Sequence, residues 1–397
     1  MNATPMPLWT KPFLLCLANN LFLFIFYFAQ TTILPIYILN ELGGNVTQAG
    51  LTLTLFMASA IAIRPFSGLI IEKLGQRRTL ILSATLFSVI AFGYLFISNL
   101  TSLYVLRLLH GVWFSILTTV FVPIVNQFIP DQRRGEGMGY YGMSVSLGIV
   151  LGPLIGLSLI SYFSYTFITA ILVAMVFIGF AFCFFIPVKE IAQPETASTE
   201  KKHISLNDFI EKKSLSVSLL VMMISFSYAS IMSFIAPFAS SIHLMQYAGL
   251  FFVVFAISMM SLRPITGKIY DRKGPQYVIY PSILTFSLGL LVLSQAQSLI
   301  GFLGSAVLVG LGFGTAQPCL QTLAIQRAPK HRIGYATSTF YTCYDIGIAI
   351  GSMVVGMMIT HQSFSFAFII CAILTALSLL YFKWVVQRRP LSQLKYS

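Results

Sequence analysis

Charge is what this sequence has least of. Of its 397 residues only 9% are Asp, Glu, Lys or Arg, while 57% are hydrophobic. A soluble globular chain carries roughly 25% charged residues, so an ordinary wetted surface is excluded. Acids are the scarcer sign, 11 against 24 bases. The five cysteines, Cys16, Cys183, Cys319, Cys343 and Cys371, stand singly inside apolar runs, so neither a zinc cluster nor a disulfide framework is expected. There is no Gly-Lys-Ser/Thr phosphate loop, which removes ATP as a fuel. The ten-residue alternating segments of a membrane β-barrel are missing too. No catalytic or metal-ligating constellation emerges, so the chain reads as a non-enzyme that needs no cofactor.

What is abundant is apolar length. Twelve runs long enough to cross a bilayer cover residues 12–39, 48–71, 79–97, 102–127, 137–160, 165–187, 214–240, 247–269, 277–294, 300–326, 334–360 and 364–384. That predicts an all-α polytopic membrane protein. The first run, Pro12 to Leu39, exceeds a signal-peptide core and is expected to be retained. If both termini are cytoplasmic, the outer loops near 40–47, 98–101, 161–164, 241–246, 295–299 and 361–363 contain no Lys or Arg. Every base except Arg107 then lies on the inner side, as the positive-inside rule requires. The net charge of +13 is thereby spent on topology in a cell (plasma or inner) membrane rather than on nucleic acid. A polar stretch, residues 188–213, divides a first six-span lobe (1–187) from a second (214–397) with a short basic tail. A monomer is expected.

The two lobes repeat with an offset of 199 residues. Arg64, Pro65, Gly68, Glu72 and Gly75 recur as Arg263, Pro264, Gly267, Asp271 and Gly274. Pro130, Arg133 and Gly135 recur as Pro329, Arg332 and Gly334, and Gly148 and Gly152 as Gly347 and Gly351. Parallel six-span repeats are the layout of a two-lobed secondary transporter with its site between the lobes. Gly68 and Glu72 lie one turn apart on one helix face. The glycine lets a neighbouring helix approach closely, and the acid can then meet the positive N-terminal end of that helix.

These motifs carry a family resemblance. Gly68 to Arg78 resembles the signature loop of the major facilitator superfamily, with Glu72 where Asp is commoner. Arg107-Leu108-Leu109-His110-Gly111 is similar to its Arg-x-x-Gln-Gly motif with His for Gln. Gly148 to Leu157, with Gly152, Pro153 and Gly156, resembles the glycine-rich motif associated with exporters, ending in Leu157 in place of Gly. The resemblance implies that Glu72 faces the eleventh span and Asp271 the start of the fifth. It implies a cytoplasmic gate built from Arg64, Gly68, Glu72, Gly75, Arg77, Arg78, Arg263, Gly267 and Asp271. Close packing of the glycine face of the fifth span on the eighth is expected, favouring export. Spans 1, 4, 7 and 10 would line a central cavity. Its candidate polar residues are Asn19, Asn20, Gln30, Thr31, Arg107, His110, Trp113, Asn126, Tyr228, Gln317 and Gln321, with Tyr341 and Tyr344 beside it.

Residues that break the repeat are the better candidates for function, because symmetry already accounts for the rest. Arg107 aligns with Ala306 and Asp345 with Ser146. A charge inside the bilayer costs at least ~2.5–3.5 kcal/mol on insertion scales and is kept where it is used. Burial disfavours the charged form of an acid, so Asp345 is expected to carry a proton, with Arg107 as the fixed charge that tunes it. The function expected is proton-driven antiport that exports a small organic molecule, such as a drug, a polar or anionic metabolite or a metal-chelating metabolite. A proton-coupled symporter of sugars or small organic acids is the alternative on the same fold.

Overall fold

The computed structural model describes residues 7–160, 162–190 and 209–387. Thirteen helices follow in order: α1 (Lys11–Asn40), α2 (Val46–Leu74), α3 (Gln76–Gly93), α4 (Leu100–Asn126), α5 (Arg134–Ile160), α6 (Tyr165–Phe185), α7 (Lys212–Ser241), α8 (Ala248–Ser261), α9 (Arg263–Lys273), α10 (Gln276–Ser294), α11 (Leu299–Arg327), α12 (Ile333–His361) and α13 (Phe364–Tyr381). No strand occurs among the described residues. Helices α8 and α9 are two parts of one span, interrupted at Leu262. The break falls two residues before Pro264, whose ring and missing N–H disfavour an unbroken helix. Counted this way, twelve helices among the described residues are long and apolar enough to cross a membrane, and the protein is a multi-pass membrane protein. Most of the expected linker, residues 191–208, lies outside the described residues.

Short polar side chains start several helices of each unit. Asn45 and Gln48 form a reciprocal capping box at α2, and Asn99, Ser164, Ser298 and Ser363 accept a backbone N–H at the starts of α4, α6, α11 and α13. Such caps satisfy donors that the helix itself leaves open. At the opposite ends of α2 and α9 the chain turns through Gly75 and Gly274 at φ +82° and +99°, where a side chain would be strained.

The chain divides into two compact units. Unit 1 comprises Met1–Asp131, Tyr141–Phe209 and Lys330–Ser338; unit 2 comprises Gln132–Tyr140, Ile210–Pro329 and Thr339–Ser397. Helix α5 thus begins in unit 2 and continues in unit 1, while α12 begins in unit 1 and continues in unit 2. The repeat is spatial as well as sequential. In unit 1 a side chain on Gly111 would collide with the Phe56 carbonyl, and in unit 2 one on Gly310 would collide with that of Phe255.

The glycine face of α5 corrects one expectation. A Cβ on Gly148 would lie 2.6 Å from Phe24 Cβ, one on Gly152 2.7 Å from Phe28 Cβ, and one on Gly156 2.7 Å from Ile33 Cγ2. The nearest neighbour of these glycines is α1, not the eighth span. In unit 2, Gly347 and Gly351 of α12 rest in the same way on α7, against Met222 and Phe226. The motif therefore sets helix spacing inside one unit, with Pro153 within the same helix. Gly152→Leu overpacks this contact and is expected to lower stability by about 1–3 kcal/mol. Thermal unfolding in detergent checks this, with Gly50→Leu, where nothing lies within 4 Å, as the control.

Candidate functional site

The duplicated hinge forms two clamps, and they differ in chemistry. In unit 2, α9 lies against the first turn of α5. A Cβ on Gly267 would meet Gly135 O at 2.7 Å, and one on Gly135 would meet Gly267 O at 2.8 Å, so the two backbones touch. Asp271, one turn beyond Gly267, then accepts the N–H groups of Gly135 at 2.7 Å and Glu136 at 3.0 Å. A carboxylate on two open donors at a helix start gains from both the hydrogen bonds and the helix dipole. Glu136 in turn pairs with Arg133 at 2.7 Å and Lys268 at 3.8 Å.

In unit 1, α2 lies against the first turn of α12. A Cβ on Gly68 would sit 2.7 Å from the Tyr335 ring. The Tyr335 hydroxyl donates to Glu72, and the Arg332 guanidinium lies 4.4 Å from the Tyr335 ring centroid. Ser338 donates to the carbonyl of Arg64. The repeat aligns Tyr335 with Glu136. Glu72 therefore faces a phenol where Asp271 faces two amides, and its extra methylene suits that longer reach.

Of the buried basic pair, Arg263 donates Nε–H to the Gly314 carbonyl at 3.2 Å; Arg64 is likewise buried. Arg77 and Arg78 are exposed. The backbone N–H groups of Gln76 and Arg77 are taken by Glu190 at 2.8 and 2.9 Å, a residue that sequence reasoning left in the solvated linker. Gln127 ties the same corner together, donating to Gln76 Oε1 at 2.8 Å and accepting from Lys189 N at 3.0 Å.

The two intramembrane charges are both buried. Asp345, on α12, is 6% exposed, and Arg107, on α4, 1%. Arg107 Nε donates to the Thr52 carbonyl at 3.2 Å and Nη1 to Tyr94 Oη at 3.5 Å, and its guanidinium lies 4.6 Å from the Phe56 ring centroid. His110 Nδ1 lies 3.2 Å from the same Tyr94 oxygen.

Several of the candidate cavity residues make helix-packing contacts. Asn19 donates to the Gly179 carbonyl and to Cys183 on α6. Gln30 bonds Thr169 and Tyr165, also on α6. Asn20 joins Ser144 and Tyr141 of α5 at 2.7 and 3.1 Å. Asn126 donates to the carbonyl of Val122 in its own helix, and Thr31 to that of Tyr27. Tyr228 stacks on Phe313 with centroids 3.7 Å apart, and Gln321 donates to Tyr341 at 3.0 Å. Trp113, Gln317, Tyr341 and Tyr344 are half-buried.

Comparison with known proteins follows the same repeat. The family model described as Major Facilitator Superfamily matches residues 16–352. The chain belongs to the major facilitator superfamily. It is similar to a staphylopine export protein of Staphylococcus aureus, 23% identical over 367 residues and covering 88% of this chain and 91% of that protein. It is similar to the multidrug resistance protein MdtG of Yersinia enterocolitica, 25% identical over 375 residues and covering 90% and 89%. Among solved structures, a variant of the E. coli fucose:proton symporter FucP superposes with a TM-score of 0.77 at 15% identity, over 94% of this chain and 98% of that one. This major facilitator chain is therefore a transporter and not an enzyme, with a small molecule as its cargo. Its clamps hold helix starts, and its buried acid sits on a helix whose first turn one of those clamps grips.

Proposed function

We propose that this major facilitator protein is a proton-driven antiporter that exports a small organic molecule, polar or anionic, across the cell membrane with both termini cytoplasmic. The reading rests on Asp345: a carboxylic acid 6% exposed within a membrane-spanning helix, in a chain whose relatives are named for export and drug resistance. An acid so placed is kept where it is used. Asp345 takes a proton in one conformation and gives it up in the other, and Arg107 supplies a fixed positive charge from α4. The two six-span lobes alternate access to the substrate. The acids Glu72 and Asp271, in the last turns of α2 and α9 beside the bases, hold the cytoplasmic side and release it when substrate or proton is exchanged. Helices of a lobe are kept at fixed spacing by glycine contacts such as Gly152 on α1, which suits rigid-body movement.

The test uses proteoliposomes loaded with a metabolite extract from cells that lack the protein, with mass spectrometry of what moves. An imposed proton gradient is expected to drive one class of molecule opposite to the protons. Movement with the protons would establish a symporter instead, and movement indifferent to the gradient would remove proton coupling altogether.

A further inference from the structure

The internal repeat provides a comparison that separates what the fold needs from what was added to it. Around Arg107 the aromatic shell is shared: Phe56 and Phe87 of unit 1 align with Phe255 and Phe286 of unit 2, all four buried. The polar members are not shared. Tyr94, Arg107 and His110 align with Leu293, Ala306 and Val309, and those three lie in the apolar core of unit 2. The helix contact that fixes the register, Gly111 on Phe56 or Gly310 on Phe255, is common to both units. Unit 2 thus builds this packing with no polar group, and the three in unit 1 serve something other than folding.

One of their hydrogen bonds has a forced direction. Arginine only donates, so the Tyr94 oxygen accepts from Arg107 Nη1 at 3.5 Å. The Tyr94 hydroxyl proton is then available to His110 Nδ1, 3.2 Å away. With Nδ1 of a neutral His110 accepting that proton, the imidazole proton lies on Nε2, which is buried without a hydrogen-bond partner. Rings of Phe26 on α1, Phe56 on α2 and Phe87 on α3 enclose the imidazole, with centroids 5.3, 5.9 and 4.1 Å from it. Arg107 itself bonds a carbonyl and a phenol and faces a ring; none of these partners is a carboxylate. Other titratable side chains packed around this shell are Tyr165 on α6, which donates to Gln30 at 3.0 Å, Tyr37 on α1, which stacks on Tyr165 with centroids 3.9 Å apart, and Tyr27 on α1, whose ring lies 5.1 Å from that of Phe56.

We propose that Tyr94 is the positioning residue for Arg107, held in orientation by the neutral imidazole of His110, so that one phenol sets where the fixed charge of the transporter points. This deepens the antiport reading and rests on it for the role of Arg107. The chain Arg107–Tyr94–His110 acts as a unit: loss of the phenol hydroxyl frees Arg107 and the His110 tautomer together.

Three variants test this in the same proteoliposomes, scored by exchange rate of the moved metabolite, by its pH profile, by melting temperature and by 15N NMR of the histidines. Tyr94→Phe is expected to lose about tenfold in exchange rate, as for one hydrogen bond to a charged group. Its pH profile is displaced, the Nε2–H signature of His110 is lost, and its melting temperature is unchanged. His110→Leu reproduces Tyr94→Phe, and His110→Gln, whose amide oxygen can accept the same hydrogen bond, recovers rate and profile relative to His110→Leu. A parental rate and profile in Tyr94→Phe overturns the proposal, and so does a lowered melting temperature with an unchanged profile. A parent protein whose transport ignores pH sinks the antiport reading alone, and the exchange rate and histidine spectrum of Tyr94→Phe still decide the positioning role.

Discussion

Proteoliposomes carrying Asp345→Asn will exchange substrate but fail to accumulate it against a gradient. Asparagine has the shape of aspartate and keeps its place between Tyr344 and Ile346, so packing at this buried site is preserved while the proton is lost. For one proton per substrate, each pH unit of gradient is worth 1.36 kcal/mol, or about a tenfold concentration ratio. The unaltered protein is expected to approach that ratio and Asp345→Asn to remain near unity. Tenfold accumulation retained in the variant, at equal protein in the membrane, would falsify the carrier role of Asp345.

The second large effect is expected at Gly267. Its would-be Cβ meets backbone only, Glu136 Cα at 2.6 Å, Gly135 O at 2.7 Å and Glu136 N at 2.8 Å. No flexible side chain is available to move aside. Even Gly267→Ala must push α9 off the first turn of α5 and stretch the two hydrogen bonds of Asp271, 2.7 and 3.0 Å long. A hydrogen bond to a charged group contributes about 1.5–3 kcal/mol, so the population of the clamped state falls by about one to two orders of magnitude. Gly139→Cys, 3.2 Å from the Arg263 carbonyl, reports on the clamp directly. Its modification rate from the basic side should rise at least tenfold with Gly267→Ala and stay constant with Gly249→Ala, where nothing lies within 4 Å. Equal rates in both would mean that the clamp is ornamental.

Much of this was legible from the 199-residue repeat, and the reasons for the rest are physical. Asp271 on the start of α5 follows from an acid one turn after a glycine, because backbone donors at a helix start are present whatever the neighbouring sequence. Tyr335 was missed because its partner position in the other half is Glu136, an acid that could not receive Glu72. The clue was Glu72 itself, one methylene longer than Asp271. The glycines of α5 were assigned to the wrong neighbour because a small residue records that something comes close, not what comes close. Asn19 and Gln30 were read as cavity residues because they are polar and lie on a span that the resemblance assigns to the cavity. Asparagine and glutamine also satisfy buried partners across a helix pair, and both bond α6.

Glu190 has a consequence for how the protein is made. The acid closes the corner of the α2–α3 hairpin and lies only a few residues beyond the end of α6. As the chain emerges from the ribosome, the first half can complete this corner with its own residues. The other two acid contacts span far more chain: the N–H groups of Gly135 and Glu136 wait for Asp271, and Glu72 waits for Tyr335. Contacts so distant in sequence are the last to be met and the most exposed to misassembly. A nascent first half is thus closed at one corner and open at two, which marks those two sites as the places where an insertase or a chaperone has most to protect.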